Sequence, residues 1–168
     1  MRLAVAAKHA GRIAEELAPM CDRIEIAGSI RRRRPECHDI DIVLMPKHGM
    51  QQKIRARCLR SSPAVNCDGD DNLQFVIRGG VQVDIYYVVP ATPDMFQRNP
   101  TPWGTRLLCR TGSKQFNIWI VKQAAQQGLY WNPYWGLYRA GLNVAAETEE
   151  EIFSALRIPF IKPEDRER

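Results

Sequence analysis

At 168 residues the chain can bury one sizeable core, or a compact core with a small dependent lobe, but not several large domains. Apolar residues make up 45% and charged residues 26%, which excludes a disordered tail, and no uninterrupted apolar run approaches the length of a membrane span. The net charge of +5 favours polyanionic partners without naming one, and five cysteines with no CxxC pair fit neither a disulfide framework nor a zinc ribbon.

In chain order, Leu3, Ala6, Ala7, Ala10, Ile13, Ala14 and Leu17 share one helical face that Pro19 stops. The charges within that repeat mark an amphipathic helix rather than a signal peptide, so an intracellular, cytoplasmic location is the expectation. Arg23 to Ala27 alternates as a short strand ending at Gly28, and Ser29 is expected to cap a helical turn that Pro35 limits. Asp39 to Met45 reads as a second strand, followed by a helix near Met50 to Arg60. Asn66 to Asp71 reads as a polar turn, with Asp68, Asp70 and Asp71 as solvated loop residues. Leu73 to Arg78 and Val81 to Val89 flank Gly79-Gly80 as a hairpin. This order predicts an α+β sheet domain over 1–90, then a proline-rich linker or inserted loop over 91–102. A second lobe over 103–168 opens with Trp103 to Cys109. It continues with a helix from Ser113 to Gln127, an irregular hairpin over 129–143, and a helix capped by Thr148 and Glu151.

Side chains two apart on a strand share a face, so Asp39 and Asp41 project together while Ile40 and Ile42 pack opposite. Adjacent carboxylates repel unless a cation lies between them, and hard oxygen donors suit magnesium, with manganese as an alternative. Asp84 interrupts an equally apolar strand. If the two strands are neighbours, three carboxylates converge, the arrangement that holds two metal ions about 4 Å apart. Asp84 is then placed to accept the proton of an attacking hydroxyl, or to position that hydroxyl. Cys37-His38, by contrast, reads as the turn before the strand.

Gly28 permits close backbone approach, Ser29 adds a hydroxyl, and Arg32 offers a bidentate fork to phosphate oxygens. Arg31, Arg33 and Arg34 cannot all face the same ligand, which leaves some of them for nucleic-acid backbone.

Together, Gly28-Ser29, Arg31-Arg32, Asp39-x-Asp41 and Asp84 resemble the nucleotidyltransferase palm of family-X DNA polymerases, the group containing polymerase beta. Arg110-Thr-Gly-Ser-Lys-Gln-Phe-Asn117 resembles that family's thumb signature, and Gly128-Leu-x-x-Asn132, Gly136-Leu137, Glu149 to Phe153 and Pro159 to Arg166 follow in the family's order. The resemblance implies a palm with an antiparallel or mixed sheet and flanking helices, plus a small α+β thumb. It implies Asp39, Asp41 and Asp84 as a two-metal triad and Ser29 and Arg32 as triphosphate ligands. His38 stands just before the first metal ligand, where the family often has glycine, and is implied as a substrate-binding residue through a backbone phosphate contact, retained or altered. Gly112 is implied to lie against the sugar, Lys114 beneath the base, and Asn117 toward the base or primer in the minor groove.

Where the family commonly has an aromatic pair before Thr-Gly-Ser, this chain has Cys109-Arg110, so discrimination against ribonucleotides is not implied. Arg110 is a candidate for a phosphate or the 2′-hydroxyl. Met95 to Thr101 reads as an extra loop, and no DNA-holding helical lobe precedes the palm in this sequence. The implied activity is addition of nucleoside monophosphates from nucleoside triphosphates to a primer 3′-hydroxyl, on primer-template or gapped DNA in repair, with no membrane partner. A helper protein that supplies the missing lobes is a further implied partner. Two alternatives stand beside it: a template-independent or ribonucleotide-using transferase acting on RNA or a small substrate, and a non-catalytic nucleic-acid-binding accessory protein.

Overall fold

The computed structural model describes residues 1–60, 62–89 and 101–167, and the chain divides into two compact units, Met1–Val88 and Val89–Arg168. The loop read over 91–102 lies outside the described residues except for Thr101 and Pro102. Among the described residues no helix is long and apolar enough to cross a membrane.

In the first unit, α1 (Leu3–Leu17) buries Ala6, Ala10 and Leu17, and Pro19 sits in the 3-10 turn Ala18–Met20 that ends it. There follow β1 (Cys21–Ile26), α2 (Gly28–Arg31), β2 (Asp39–Pro46), α3 (Gln51–Leu59), β3 (Ala64–Asp68), β4 (Asn72–Ile77) and β5 (Val81–Tyr87). The five strands form one mixed sheet in the order β1-β2-β5-β4-β3, with β2 and β5 parallel and the other neighbours antiparallel. Alternation does the sorting. Ile40, Ile42 and Leu44 of β2 lie beside Val83, Ile85 and Tyr87 of β5 and bury together with Leu73, Phe75, α1 and Ile54 of α3. The residues between them point to the opposite face of the sheet.

One local expectation fails here and another holds only in part. Ala27, not Ser29, is the N-cap of α2, so Ser29 lies inside the helical turn and caps nothing. Half of the segment expected as a polar turn, Asn66 to Asp68, belongs to β3, whose five residues are all exposed, while Gly69 to Asp71 form the turn into β4. Asn66, Cys67 and Asp68 have weak strand propensity, and pairing with β4 overrides it. The hairpin at Gly79-Gly80 forms as expected, with both glycines at positive φ and Gly80 N–H donating to Ile77 O at 3.1 Å.

The second unit contains α4 (Trp103–Thr111), α5 (Lys114–Gln126), β6 (Tyr130–Asn132), β7 (Gly136–Arg139), β8 (Leu142–Ala145) and α6 (Glu149–Ala155). The irregular hairpin expected over 129–143 is a three-stranded antiparallel sheet, β6-β7-β8. Thr148 and Glu151 make the expected capping box, with Thr148 Oγ1 accepting from Glu151 N–H at 3.1 Å. Leu108, Phe116, Ile120, Trp131, Leu137, Ile152 and Phe153 form its core.

That core contains an ion pair. Arg166 is fully buried and donates through Nη1 to Glu149 Oε1 at 2.7 Å and through Nε to Ile161 O at 2.9 Å. Its guanidinium lies over the rings of Phe116, Phe153 and Phe160 at 5.4–5.6 Å. Arg166→Met is therefore expected to destabilise the protein by about 3–5 kcal/mol, because it strands the Glu149 carboxylate in an apolar core. Urea unfolding of Arg166→Met beside the double variant carrying Glu149→Gln measures this, and the second change is expected to recover part of the loss.

Candidate functional site

The parallel pairing of β2 with β5 sets Asp39 beside Gln82 and Asp41 directly opposite Asp84. Because each strand alternates, Asp39, Asp41, Gln82, Asp84 and Tyr86 share the sheet face that the core does not use. Antiparallel pairing with β4 adds Gln74, directly opposite Asp84 on its other side. One row across three strands thus reads Asp41, Asp84, Gln74.

Asp84 is only 7% exposed. Burial pushes its pKa up from the usual carboxylate range. A hydrogen bond from Gln74 opposes that shift, the Asp39 charge reinforces it, and bonds from Gln82 and Tyr86 oppose it. Gln82 Nε2 donates to Asp84 Oδ1 at 3.2 Å and Oδ2 at 3.4 Å, and Tyr86 O–H donates to Oδ2 at 3.4 Å. Gln74, Gln82 and Tyr86 were not singled out from the sequence, although the i±2 spacing of Gln82 and Tyr86 about Asp84 was a readable signal.

Gly28 is required twice over. Its φ of +57° disfavours any L side chain, and a Cβ there would stand 1.9 Å from Asp41 Oδ2. Ala27 N–H donates to Asp41 O at 2.8 Å, tying the end of β1 to the acidic strand. Ser29 Oγ is buried beside this turn and makes no hydrogen bond among the described residues. Arg31 and Arg32 are half-buried, whereas Arg33, Arg34 and His38 are exposed. Cys37 is buried, with its thiol against Arg34 O, so the Cys37-His38 turn reads as structural.

All three carboxylates supply hard oxygen donors, and their shared face together with the Gly28 cradle suits a divalent cation. Their oxygens are not gathered into a ligand set: among the described residues no group of three His, Cys, Asp or Glu side chains is arranged to hold a metal ion. Strand register brings the three residues to one face, and the Asp84 carboxylate is engaged by its amide neighbours.

In the second unit, Cys109 and Arg110 lie in the last turn of α4, and Gly112, with φ +68°, breaks the chain away. Ser113 caps α5 by accepting from Phe116 N–H at 3.2 Å, and its own N–H donates to Arg166 O at 3.2 Å. Lys114 is exposed. Asn117 Nδ2 donates to Cys109 O at 2.8 Å, while its Oδ1 is buried and accepts no hydrogen bond among the described residues. Burial raises the Cys109 thiol pKa, which the charges of Arg110 and Arg106 partly offset.

Residues 106–167 match the family model described as DNA polymerase beta thumb. Two crystal structures of Leishmania infantum polymerase beta, a ternary P/T complex and a ternary gap complex, superpose with TM-scores of 0.79 at 21% and 20% identity. Each covers all of this chain, and the chain covers 77% and 71% of theirs. No curated protein sequence matches the chain. The fold is similar to that of these polymerase beta structures: a mixed-sheet palm flanked by helices and a small antiparallel thumb lobe.

The buried Asp84 gives a test of the site that needs no substrate. A carboxyl whose folded pKa lies above its unfolded value binds more protons in the folded state, so stability falls as pH rises through that window and the loss is complete above it. Asp84→Asn removes the loss and keeps an acceptor for Gln82. It is expected to raise the melting temperature at pH 7, by about 2–4 °C for each ~1 kcal/mol recovered. The gain should vanish near pH 3, as thermal melts across that range will measure.

Proposed function

We propose that this palm and thumb form a metal-dependent nucleotidyltransferase that adds nucleoside monophosphates to a primer 3′-hydroxyl and releases pyrophosphate, in DNA repair or gap filling. The observation that carries the reading is Asp41 opposite Asp84, with Asp39 on the same face and Gly28 packed against Asp41, within a polymerase-beta-like fold. Asp39, Asp41 and Asp84 would hold divalent cations, magnesium or manganese, which supply acidification of the attacking hydroxyl and charge neutralisation on the phosphates.

The chain's own residues supply the rest. Asp84 accepts the proton of the 3′-hydroxyl as that oxygen bonds to the α-phosphorus and the bond to pyrophosphate breaks. The backbone at Gly28, the Ser29 hydroxyl and the Arg32 guanidinium bind the triphosphate, and Arg32 stabilises charge gathering on the leaving group. Arg31, Arg33 and Arg34 contact nucleic-acid backbone. In the thumb, Gly112 borders the sugar, Lys114 lies under the base, and Asn117 exchanges its local bond to Cys109 for the base or primer.

One observation favours a second reading in which ribonucleotides, or untemplated ends, are used. Cys109 and Arg110 stand where the resemblance calls for an aromatic pair, so a small thiol and a cation replace a barrier of rings. Extension of a labelled primer, with and without template, with dNTPs and with rNTPs, separates the two. The main reading predicts templated dNTP products with magnesium or manganese. No incorporation under any condition, together with tight nucleic-acid binding, would establish the non-catalytic alternative.

Asp41→Asn should reduce extension by at least about 10³-fold with far-UV circular dichroism unchanged, because it removes a charged ligand and no core volume. Arg32→Ala should raise the KM for the nucleoside triphosphate by about 10-fold or more, the loss of one charge-assisted fork. Primer affinity, read by fluorescence anisotropy, is expected to stay within about twofold. If Arg32→Ala weakens only primer binding, the phosphate role passes to another arginine.

A further inference from the structure

The Asp84 carboxylate takes hydrogen bonds from Gln82, Tyr86 and Gln74, and among the described residues every one of these partners is neutral. The difference from an ionic partner is physical. A lysine or arginine at this place would orient the carboxylate and also cancel its charge, competing with any cation drawn to the face. An amide orients it and leaves the charge in place.

Gln82 holds the pivotal place among the three. It is the direct cross-strand neighbour of Asp39 on β2, and it lies two residues before Asp84 on the same face of β5. Its amide therefore stands at the junction of the acidic residues, and its hydrogen bonds go to both oxygens of Asp84. The other end of the amide is also fixed, since Asn66 Nδ2 on the edge strand β3 donates to Gln82 Oε1 at 3.4 Å. With a donor on Oε1 and a carboxylate at Nε2, only one of the two amide orientations satisfies both ends. Gln74 approaches Asp84 from β4, directly opposite in register.

We propose that Gln82 is a positioning residue for Asp84: an uncharged amide, braced by Asn66, that sets the direction of the carboxylate while preserving its full charge for a divalent cation. The inference rests on the nucleotidyl-transfer reading for its consequence in turnover, but not for its consequence in cation binding.

The test uses the full chain and two substitutions. Gln82→Met keeps length and removes both hydrogen-bonding ends, and Gln82→Glu keeps shape and replaces the donor by a second carboxylate. Binding of Mn²⁺ alone is followed by the electron paramagnetic resonance signal of the free ion, and primer extension is followed in parallel. Loss of such an outer partner typically costs about 10-fold in metal affinity or turnover, so Gln82→Met is expected to weaken Mn²⁺ binding and lower kcat by about that factor. Its KM for dNTP should stay within about twofold, a split that general loosening of the fold would not produce. Gln82→Glu is expected to bind Mn²⁺ at least as tightly as the unaltered protein, yet to lose kcat by about 10-fold or more, because charge is present and direction is lost. Unchanged Mn²⁺ affinity and kcat in Gln82→Met would overturn the proposal. So would a Gln82→Glu variant with full kcat, or losses in Gln82→Met matched by an equal rise in KM and a lowered melting temperature. Failure of the unaltered protein to extend any primer would overturn the functional reading alone, leaving the Mn²⁺ comparison to decide the role of Gln82.

Discussion

The parallel pairing of β2 with β5 is the constraint on which the rest depends. A slip of one residue would turn Asp39 and Asp41 into the core and expose Ile40 and Ile42, so the hydrophobic face and the acidic face are fixed by the same register. Burial of Ile40, Ile42 and Leu44 beside Val83, Ile85 and Tyr87 therefore stabilises the sheet and, as a by-product, sets Asp41 against Asp84. The site's geometry is inherited from the core, and the core gains nothing from the site.

The acidic face works against the stability of the fold. Asp84 is buried where its charged form is disfavoured, Asp39 adds repulsion, and the neutral donors Gln74, Gln82 and Tyr86 compensate. Gly28 contributes in the same way. A residue in the left-handed region with no room for a side chain makes no packing contribution, and it leaves space for the Asp41 carboxylate. Unfavourable local choices collected on one face of two neighbouring strands, in a sheet otherwise sorted by simple alternation, are the physical mark of a place kept for something other than folding.

Much of this was legible in the sequence because it rests on short-range rules. The strands around Ile40 and Val83, the glycine hairpin, the Thr148 capping box and the two helices with regular apolar spacing needed only periodicity and cap chemistry. The pairing of Asp-x-Asp with Asp84 needed one assumption, that the two strands are neighbours, and the core supplies it. What escaped notice depends on contacts distant in sequence. β3 has poor strand residues and exists through pairing with β4. Ser29 looks like a cap until Ala27 takes that position. Gln74 becomes a neighbour of Asp84 only once the three residues between Ile77 and Val81 fix the hairpin register. Arg166 stands among residues of mixed charge, and nothing local reveals the carboxylate and three rings that enclose it.

The contact between Ser113 N–H and Arg166 O has a consequence for the order in which the thumb lobe can become native. The corner between α4 and α5 is local in sequence, yet it is pinned by backbone more than fifty residues downstream, through a residue whose side chain is locked by Glu149. Contacts of such separation close late, after the loop between them has lost its freedom. During synthesis the α4–α5 corner would emerge early and wait, with Phe116 and Phe153 short of the cation that covers them, until the stretch around Arg166 leaves the ribosome. The turn at Gly112 and Ser113 therefore acquires its final shape only once the stretch around Arg166 has docked against it.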